Sequence, residues 1–558
     1  MNTGNISFGT GLDGVTGVAL SGTDNFLRVI STGSISQTQQ VAGDQLVLRV
    51  INDADSFITL DNASNQFSRV TLEARTNAGA AGAAPITYRD TDGFSLLRLT
   101  TASDALLSAS GAVNQSGANQ GIIASRLLLT GNNPSTWTLD RNDNSFAMLA
   151  GNTNGNLNLS NNRDLEIGTV SGVNGVAVGS ESFLRMVVAG NITQTQAVSG
   201  DLLVARTLSD SFTQAWLANP ANNFTSINMQ SNNRANTSLG GGRLIYRDVN
   251  GFTVVGAQTN EQVILHADSV VNQLGATIPI IANGGMRFFG TGGYVFTRSD
   301  NRIPRIAGNT GTLQLTTNSD LIITQLGVAS GLTTSANTTL SAFGTVTQDR
   351  PAVVTGTLTA TTRTASGGGT VLLDQLGNRA GTLQLLGYGL SGTTGVASNL
   401  SFASSQGYAV QATRTTGLVT LTSNGVVTTP SGGSFVGASS LLLQGTGSFN
   451  LTSTGNTFST LAGNVGSVNV FTSGPLQIGQ IDTTNGLVAT GNVTLAAGGN
   501  ISQSRQLRGL NLLATTLNNT GASIILTGPN NFFSGTRTLR TRNASGNADV
   551  EATATYLQ

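Results

Sequence analysis

The sequence contains no cysteine and no lysine, and each absence excludes a class of chemistry. Without cysteine there are no disulfides, no thiol catalysis and no thiolate metal sites. All 27 basic residues are arginine, which excludes Schiff-base catalysis, a phosphate-binding loop ending in Gly-Lys, and Lys–Asn isopeptide crosslinks. The 27 arginines balance 27 acidic residues, so no net charge attracts nucleic acid or an anionic membrane.

Ionisable side chains suited to catalysis are also scarce. The only histidine, His266 in VILHADSVV, is predicted to be a surface or turn residue. The densest acidic patch, Asp140-Arg141-Asn142-Asp143, is predicted to be a polar turn with a local salt bridge. The few glutamates are Glu73, Glu166, Glu181, Glu261 and Glu551. A β-helical glycosidase or lyase needs a focused carboxylate pair or basic cluster. We therefore predict no enzyme activity and no catalytic, cofactor-binding or metal-ligating residue.

Targeting signals are missing from the sequence as well. No stretch approaches the 18 apolar residues that suggest a membrane helix. The first residues, MNTGNISFGT, lack the basic and apolar regions of a signal peptide. The repeat described next continues to both ends without evident caps. We therefore expect a fragment of a larger protein rather than an intracellular protein.

What the chain does have is a long internal repeat. FLRVISTGSISQTQ (26–39) returns as FLRMVVAGNITQTQ (183–196), then as FGTVTQ (343–348) and LAAGGNISQS (495–504). The equivalent residues Ile35, Ile192, Val346 and Ile501 are 157, 154 and 155 residues apart. Such a period indicates one structural unit that is copied and stacked. The expected units are 1–34 (partial), 35–191, 192–345, 346–500 and 501–558 (partial).

Each long unit divides into two related halves of about 78 residues, a period within the range of known repeat architectures. Val113, Val271 and Val427 lie between the main anchors, in GAVNQ, SVVNQ and GVVTT. At a nearly constant distance after most anchors comes Asn-x-aromatic or Asn-x-aliphatic. The copies begin at Asn65, Asn144, Asn222, Asn301, Asn456 and Asn531, with a degenerate copy at Asn378.

The local pattern predicts strands. RLLLTG (126–131), NLNLSN (156–161) and SLLLQG (440–445) alternate apolar and polar residues, and Gly, Asn, Ser, Thr and Asp punctuate such runs. The predicted fold is all-β: one continuous right-handed parallel β-helix (β-solenoid) over residues 1–558. Coils of about 19 residues, each a three-strand triangular rung, would give roughly 28 coils and a rod of about 130 Å. Asparagines at turns are expected to pair between coils.

Several motifs have both a functional and a structural interpretation. Trp137 and Trp216, which follow their anchors Val113 and Ile192 at equal distances, could be sugar-stacking platforms, but a strand position that prefers a bulky side chain is the favoured interpretation for both. Tyr88-Arg89-Asp90 and Tyr246-Arg247-Asp248 could be repeated ligand sites. We instead expect Arg and Asp to pair across a turn while the following Gly-Phe enters the core. The Thr-rich segment 355–364 suggests ice binding only weakly, because the threonines are local.

The sequence resembles filamentous haemagglutinin-like bacterial exoproteins. The resemblance rests on GLVATGNVTLAAGGNISQS (486–504), SLLLQGTGSFNLTSTGNTFSTLAGNVGSVNVF (440–471) and the ordered Asn-x-Phe series, and it covers nearly the whole chain. It implies a right-handed β-helical shaft on the surface of a Gram-negative bacterium, or secreted from it, with a role in adhesion or as a stalk. There is no Arg-Gly-Asp tripeptide and no amino-terminal secretion domain, so neither integrin binding nor any individual functional residue is carried over.

Three functions follow from these observations. The first is an adhesin shaft that projects or presents a binding surface to glycans or surface proteins of host or neighbouring cells. The second is a structural filament subunit that associates head to tail. The third, which the scarce charges disfavour, is a polysaccharide-degrading β-helix. The sequence identifies no binding residue and predicts no nucleic-acid partner and no membrane insertion.

Overall fold

The computed structural model describes residues 4–11, 14–52, 55–117, 120–273, 275–365, 367–392, 394–430, 433–518, 521–543, 545–546 and 554–556. The chain divides into two compact units, Met1–Gly284 and Gly285–Gln558, and each is described by itself. The described residues form no helix, so none of them belongs to a helix that could cross a membrane. Glu551 lies outside the described residues.

The first unit consists of strands β1 to β28. In chain order they are Ile6–Phe8, Val18–Ala19, Phe26–Ser31, Ile35–Gln37, Val41–Ile51, Ile58–Leu60, Gln66–Arg75, Ile86–Asp90, Ser95–Thr100, Asp104–Ala109, Val113–Asn114, Ile122–Ile123, Arg126–Leu139, Met148–Asn161, Leu165–Ile167, Thr169–Val170, Val173–Asn174, Val176–Ala177, Phe183–Val188, Ile192–Gln194, Val198–Leu208, Gln214–Leu217, Asn223–Asn232, Arg243–Arg247, Thr253–Thr259, Gln262–His266, Val271–Asn272 and Ile280–Ala282.

The second unit consists of strands β29 to β62. In chain order they are Gly285–Phe289, Gly293–Phe296, Arg305–Thr310, Thr312–Thr317, Leu321–Ile323, Gln325–Leu326, Ala329–Ser330, Leu332–Thr334, Thr338–Ala342, Val346–Gln348, Ala352–Thr364, Thr370–Leu373, Arg379–Gly389, Asn399–Ser404, Tyr408–Arg414, Leu418–Ser423, Val426–Thr428, Phe435–Gly437, Ser440–Gln444, Ser448–Leu451, Thr460–Val465, Ser467–Thr472, Leu476–Ile478, Gln480–Ile481, Thr484–Asn485, Leu487–Ala489, Val493–Ala497, Ile501–Gln503, Leu507–Gly509, Leu512–Leu517, Ile524–Leu526, Phe532–Phe533, Arg537–Arg542 and Ala554–Tyr556.

Both units are parallel β-solenoids, as the sequence predicted. Most strands pair in parallel with a strand one turn earlier and one turn later, so Ile35 lies beside Ile58 and Ile58 beside Ile86. The spacing of these partners shows that the turns are longer than expected. The two units together contain about 22 turns, fewer than the roughly 28 coils expected, because loops lengthen many turns.

The core of each unit is a stack of inward side chains from successive turns. Leu48, Leu72 and Leu99 are register partners on three turns, and all three are fully buried. The period of two along each strand sends alternate residues inward, and stacking then repeats the same contact at every turn. The aromatic or aliphatic residues of the Asn-x series are buried as predicted: Phe67, Phe146, Phe224, Ile303, Phe458 and Phe533, with Ala380 in the degenerate copy.

The seven anchor residues share one environment. Each lies on a short strand and is at most 1% exposed: Ile35, Val113, Ile192, Val271, Val346, Val427 and Ile501. In five copies for which the structure describes the contact, the residue two positions further on is a glutamine whose side chain donates a hydrogen bond to the asparagine of the next Asn-x motif, over 2.7–2.9 Å. These pairs are Gln37–Asn65, Gln115–Asn144, Gln194–Asn222, Gln348–Asn378 and Gln503–Asn531.

The asparagine of each motif is also bonded to the backbone. Asn222 is 1% exposed, accepts from the Val198 amide at 3.0 Å, and donates to the carbonyls of Leu217 and Arg247 at 3.1 Å each. One buried amide therefore satisfies backbone groups on several segments. The predicted pairing of asparagines between coils also occurs directly on the surface, as in Asn450–Asn469 and Asn492–Asn511.

Short antiparallel hairpins interrupt the parallel stack at related positions. Unit 1 contains the pair Thr169–Val170 and Val173–Asn174, and unit 2 contains pairs starting at Gln325 and Gln480. In unit 1 the hairpin residue Val170 packs with Leu128 and Ala150 in a small cluster separate from the main stack. The hairpins at Gln325 and Gln480 form similar small clusters in unit 2.

Candidate functional site

The two tryptophans have opposite environments. Trp137 is fully buried and packs edge-on against Phe94, with ring centroids 6.4 Å apart, so the interpretation as a strand position for a bulky side chain is confirmed for it. Trp216 is 47% exposed. Trp216 lies on a strand, as predicted, but not at the inward position that Trp137 occupies.

A one-residue difference in register explains the contrast. Trp137 is the register partner of its anchor Val113, so it points inward as the anchor does. In the next copy Ala215, not Trp216, is the partner of the anchor Ile192. Because successive side chains point to opposite faces of a strand, a shift by one residue turns Trp216 outward. Equal spacing from the anchors thus equated two positions that are not equivalent.

Trp216 lies on an outward surface of unit 1. Ile245 is its register partner on the next turn, and Ile264 is the partner of Ile245 one turn further on. Phe212, 56% exposed, lies beside this row, and the Arg243 guanidinium is 5.5 Å from the centre of its ring. Ile264 is only 7% exposed, so it lies beneath this surface rather than on it. We call the surface the Trp216 face, and it comprises Phe212, Trp216, Arg243, Ile245, Arg247 and His266.

The electrostatics of the Trp216 face come from its arginines. Arg247 and His266 are register partners on neighbouring turns. Burial first, and then the nearby Arg247 charge, lower the pKa of His266 below its usual range, and Asp268 opposes this only in part. The imidazole is thus neutral at pH 7. The Nε atoms of Arg243 and Arg247 are buried and make no hydrogen bond.

An exposed indole beside a turn that presents two arginines on the same face suits recognition more than catalysis. Tryptophan and arginine are the residue types that most often dominate binding energy at interfaces. The flat apolar ring provides contact area, while guanidinium groups donate hydrogen bonds to hydroxyl or acidic groups. Outward apolar residues also follow the anchor's partner in unit 2, where Leu372 follows Val371 and Ile525 follows Ile524; they are 39% and 46% exposed.

The Tyr-Arg-Asp triplets are structural, but not in the way expected. Asp90 is 1% exposed and accepts hydrogen bonds from the Tyr88 hydroxyl at 2.6 Å and from the Phe67 amide at 3.0 Å. The expected Arg–Asp pair is therefore replaced by a Tyr–Asp pair. Burial raises the pKa of Asp90, although these hydrogen bonds oppose the shift. Phe94 enters the core as predicted and packs edge-on against Tyr88 at 5.2 Å.

The second triplet repeats this arrangement. Asp248 is fully buried and accepts from the Tyr246 hydroxyl and from the Phe224 amide, both at 3.0 Å. Phe252 packs edge-on against Tyr246 with ring centroids 4.9 Å apart. Both carboxylates thus accept hydrogen bonds inside the solenoid from a tyrosine hydroxyl and a backbone amide. They are buried, so no ligand has access to them.

The remaining sequence candidates are also accounted for by local structure. Arg141 and Asp143 form the predicted local salt bridge, at 2.8 Å. His266 lies on a strand of the Trp216 face, partly buried. Thr361 and Thr362 are buried, so segment 355–364 is not a flat outward threonine array. Among the described residues no group of three or more His, Asp or Glu side chains is placed to hold a metal ion.

One buried acidic residue was not singled out by the sequence. Glu73 has no exposed side-chain surface and forms ion pairs with Arg49, with Arg75 at 2.7 Å and with Arg98 at 3.2 Å. Burial by itself would raise the pKa of Glu73, but the hydrogen bonds from Arg75 and Arg49 bring the pKa below its usual value. This single carboxylate joins three arginines and offsets part of their charge.

Comparisons with protein-family models, with curated proteins and with solved structures find no match to this chain. The resemblance to filamentous haemagglutinin-like proteins therefore rests on the sequence motifs alone. The exposure and register of its own residues are what distinguish the Trp216 face.

Proposed function

We propose that the chain is the shaft of a bacterial surface exoprotein and acts as a non-enzymatic adhesin that presents glycan-binding surface along its sides. The observation that supports this most is the exposed Trp216, whose neighbouring turn presents Arg243 and Arg247 on the same face of the solenoid wall. An outward tryptophan has no role in the core of the stack. Contiguous exposed apolar patches, such as the one that Trp216 forms with its register partner Ile245, commonly mark binding surfaces.

A solenoid suits such a role for a physical reason. Its turns contact mainly their neighbours, so outward residues can change without disturbing the core. The same outward position can then be presented again wherever the repeat recurs, as Trp216, Leu372 and Ile525 illustrate within their own units. Repeated weak contacts to a polymeric glycan add through avidity.

The compartment and family are part of the same proposal. The absence of cysteine and the resemblance to filamentous haemagglutinin-like proteins support secretion to, or beyond, the surface of a Gram-negative bacterium. We also propose that the chain is one continuous right-handed solenoid with three-sided turns, and that it is built from repeats of about 156 residues, each made of two related halves. The shared environment of the seven anchors and the recurring Gln–Asn pairs support that organisation.

The test is binding of the purified chain to a glycan array and to intact cells. Because the chain has no lysine, a label on the terminal amine is single and leaves the shaft unmodified. We expect saturable binding, competed by free glycan and weakened in Trp216→Ala. Val270→Ala, which shortens another exposed apolar residue of the same unit, is the matched control and should bind as the wild type does.

Two results would contradict the proposal. A folded chain that binds neither glycans nor cells is not an adhesive surface. Turnover of a polysaccharide would instead assign the chain to the β-helical enzymes. Electron micrographs of the same sample also test the alternative of head-to-tail association, because fibres that grow with concentration would favour a filament subunit.

A further inference from the structure

A second polar site lies in unit 1, apart from the residues of the Trp216 face. It is a cavity of about 530 Å³ whose charged lining residues are Asp140, Arg185, Arg206 and Arg234. The cavity thus has three positive charges and one negative charge. Its other lining includes the apolar side chains Val187, Ala189 and Leu208 and the amides Asn142, Asn162 and Asn236.

The strands explain why two of these arginines meet. Val187 and Arg206 are register partners on neighbouring turns, and Arg185 lies two residues before Val187 on the same face of its strand. Both guanidinium groups therefore project from one side of the wall. Arg234 comes from the turn that follows strand β23.

The arginines lack acidic partners. In the described part of the chain, none of the three forms an ion pair. Arg185 donates to the Asn158 amide oxygen at 2.8 Å, and Arg206 donates to the amide oxygens of Gln230 and, at 3.5 Å, of Asn236. The Nε of Arg206 is buried without a hydrogen-bond partner. Burial, and secondly the Arg185 charge, lower the pKa of Arg206, so an anion there would relieve an existing repulsion.

The preceding copy of the repeat has an acidic residue at the position where this copy has a neutral one. Arg28, Arg49 and Glu73 stand 157 residues before Arg185, Arg206 and Gln230. The registers match, because Arg49 is the partner of Glu73 and Arg206 is the partner of Gln230. In the first copy the buried carboxylate of Glu73 pairs with Arg49, and also with Arg75 and Arg98, which have no arginine counterparts in the second copy. In the second copy a neutral amide takes its place, and the arginines face a cavity.

We propose that this cavity is a binding site for an oxyanion group, a carboxylate, sulfate or phosphate, carried by a hydroxyl-rich ligand. Guanidinium groups bind such oxyanions through paired, charge-assisted hydrogen bonds. The side-chain amides of Asn142, Asn162 and Asn236 provide donors and acceptors for hydroxyl groups. The anion takes over the role that Glu73 has one repeat earlier.

The experiment is calorimetric titration of the full chain at low ionic strength with glucuronate, inorganic sulfate, inorganic phosphate and, as the neutral analogue, glucose. At least one of the three anions should bind one-to-one, and glucose should not. Which anions bind distinguishes a carboxylate from a sulfate or phosphate source. Added salt should weaken the binding because screening acts on the ionic contacts.

Gln230→Glu is the decisive variant, since it introduces the counter-charge that the first copy has. It and Arg185→Ala should each weaken anion binding at least about tenfold. Arg302→Ala removes an exposed arginine outside the cavity and should leave binding unchanged. Trp216→Ala should also leave it unchanged, which separates this site from the proposed glycan surface. The proposal is overturned if no anion binds, or if folded Gln230→Glu binds as tightly as the wild type.

Discussion

Gln194 and Asn222 exchange two side-chain hydrogen bonds between neighbouring turns of the solenoid. Gln194 Nε2 donates to Asn222 Oδ1 at 2.8 Å, and Asn222 Nδ2 donates to Gln194 Oε1 at 3.0 Å. The asparagine is buried, so water cannot replace a lost partner. The pair joins the two motifs that recur most regularly in the sequence, the anchor and the Asn-x-aromatic turn.

Replacing Asn222 with Ala should therefore destabilise the chain strongly. The change leaves the Val198 amide and the Leu217 carbonyl without their side-chain partner, and each unsatisfied buried group costs about 1–3 kcal/mol. Urea unfolding should show a loss of several kcal/mol. The neighbouring exposed Asn223 is the matched control, and Asn223→Ala should change the unfolding free energy by no more than about 0.5 kcal/mol. Equal effects of the two variants would contradict the conclusion that the Asn222 side chain stabilises the fold through its buried hydrogen bonds.

The copy at Val427 lacks the glutamine–asparagine pair that five other copies have. Thr429 stands where the other copies have glutamine, and its hydroxyl oxygen is buried without a hydrogen-bond partner. Asn456 still accepts from the Val436 amide at 2.7 Å. We expect Thr429→Gln to stabilise unit 2 by roughly 0.5–1.5 kcal/mol, the net value of a typical hydrogen bond. An unchanged or lower unfolding midpoint would show that this turn cannot accommodate the pair.

The two tryptophans provide a test of register. Trp137→Ala should cost about 3–5 kcal/mol, because it opens a cavity in the stacked core. Trp216→Ala should cost less than about 1 kcal/mol, because half of its surface is already in water. Thermal unfolding of the two variants side by side measures this contrast. Similar losses in both would contradict the outward orientation of Trp216.

Coupling along the stack should be local. Phe146 is fully buried, and Phe146→Ala should cost about 3–5 kcal/mol in its own turns. Hydrogen exchange should then lose protection first in the turns that contain Leu129 and Leu159, while turns far along the chain remain protected. A uniform loss of protection through both units would mean that the turns unfold as one block.

Acid should weaken the ion pairs between Glu73 and its three arginines. The folded-state pKa of this carboxyl lies below its ordinary value of 4.5, so its ionised form stabilises the fold above that value. The stabilisation is lost as the pH falls through the depressed pKa. The difference in unfolding free energy between wild type and Glu73→Gln should therefore be large at pH 7 and shrink below about pH 4. Glu181→Gln, at an exposed glutamate, should show no such trend.

The fold class could be predicted because the same sequence patterns recur in every repeat of the solenoid. Alternating strands, turn residues and the Asn-x-Phe series recur at a fixed period, and the structure confirms a parallel solenoid with those phenylalanines buried. The number of turns was less predictable. Loops of variable length, such as residues 76–85 between Gln66–Arg75 and Ile86–Asp90, add residues without adding a turn.

The sites were harder to predict because they depend on register and on partners one turn away. A single residue of difference separates the buried Trp137 from the exposed Trp216. The Gln–Asn pair links residues 28 to 30 positions apart, and only the constant spacing of the two motifs could have indicated it. The exchange of Glu73 for Gln230 is visible when the repeats are aligned, but its meaning depends on Arg206 lying beside that position.

The most direct test of the account is the fluorescence of Trp216 during glycan binding. In a Trp137→Phe variant, Trp216 is the only tryptophan, so its emission reports on the proposed surface alone. Titration with a glycan selected on the array should shift or quench this emission saturably, at the same concentrations at which the glycan binds. Binding that leaves the emission unchanged, or a folded chain for which no glycan is found, would contradict the assignment of the Trp216 face as an adhesive surface.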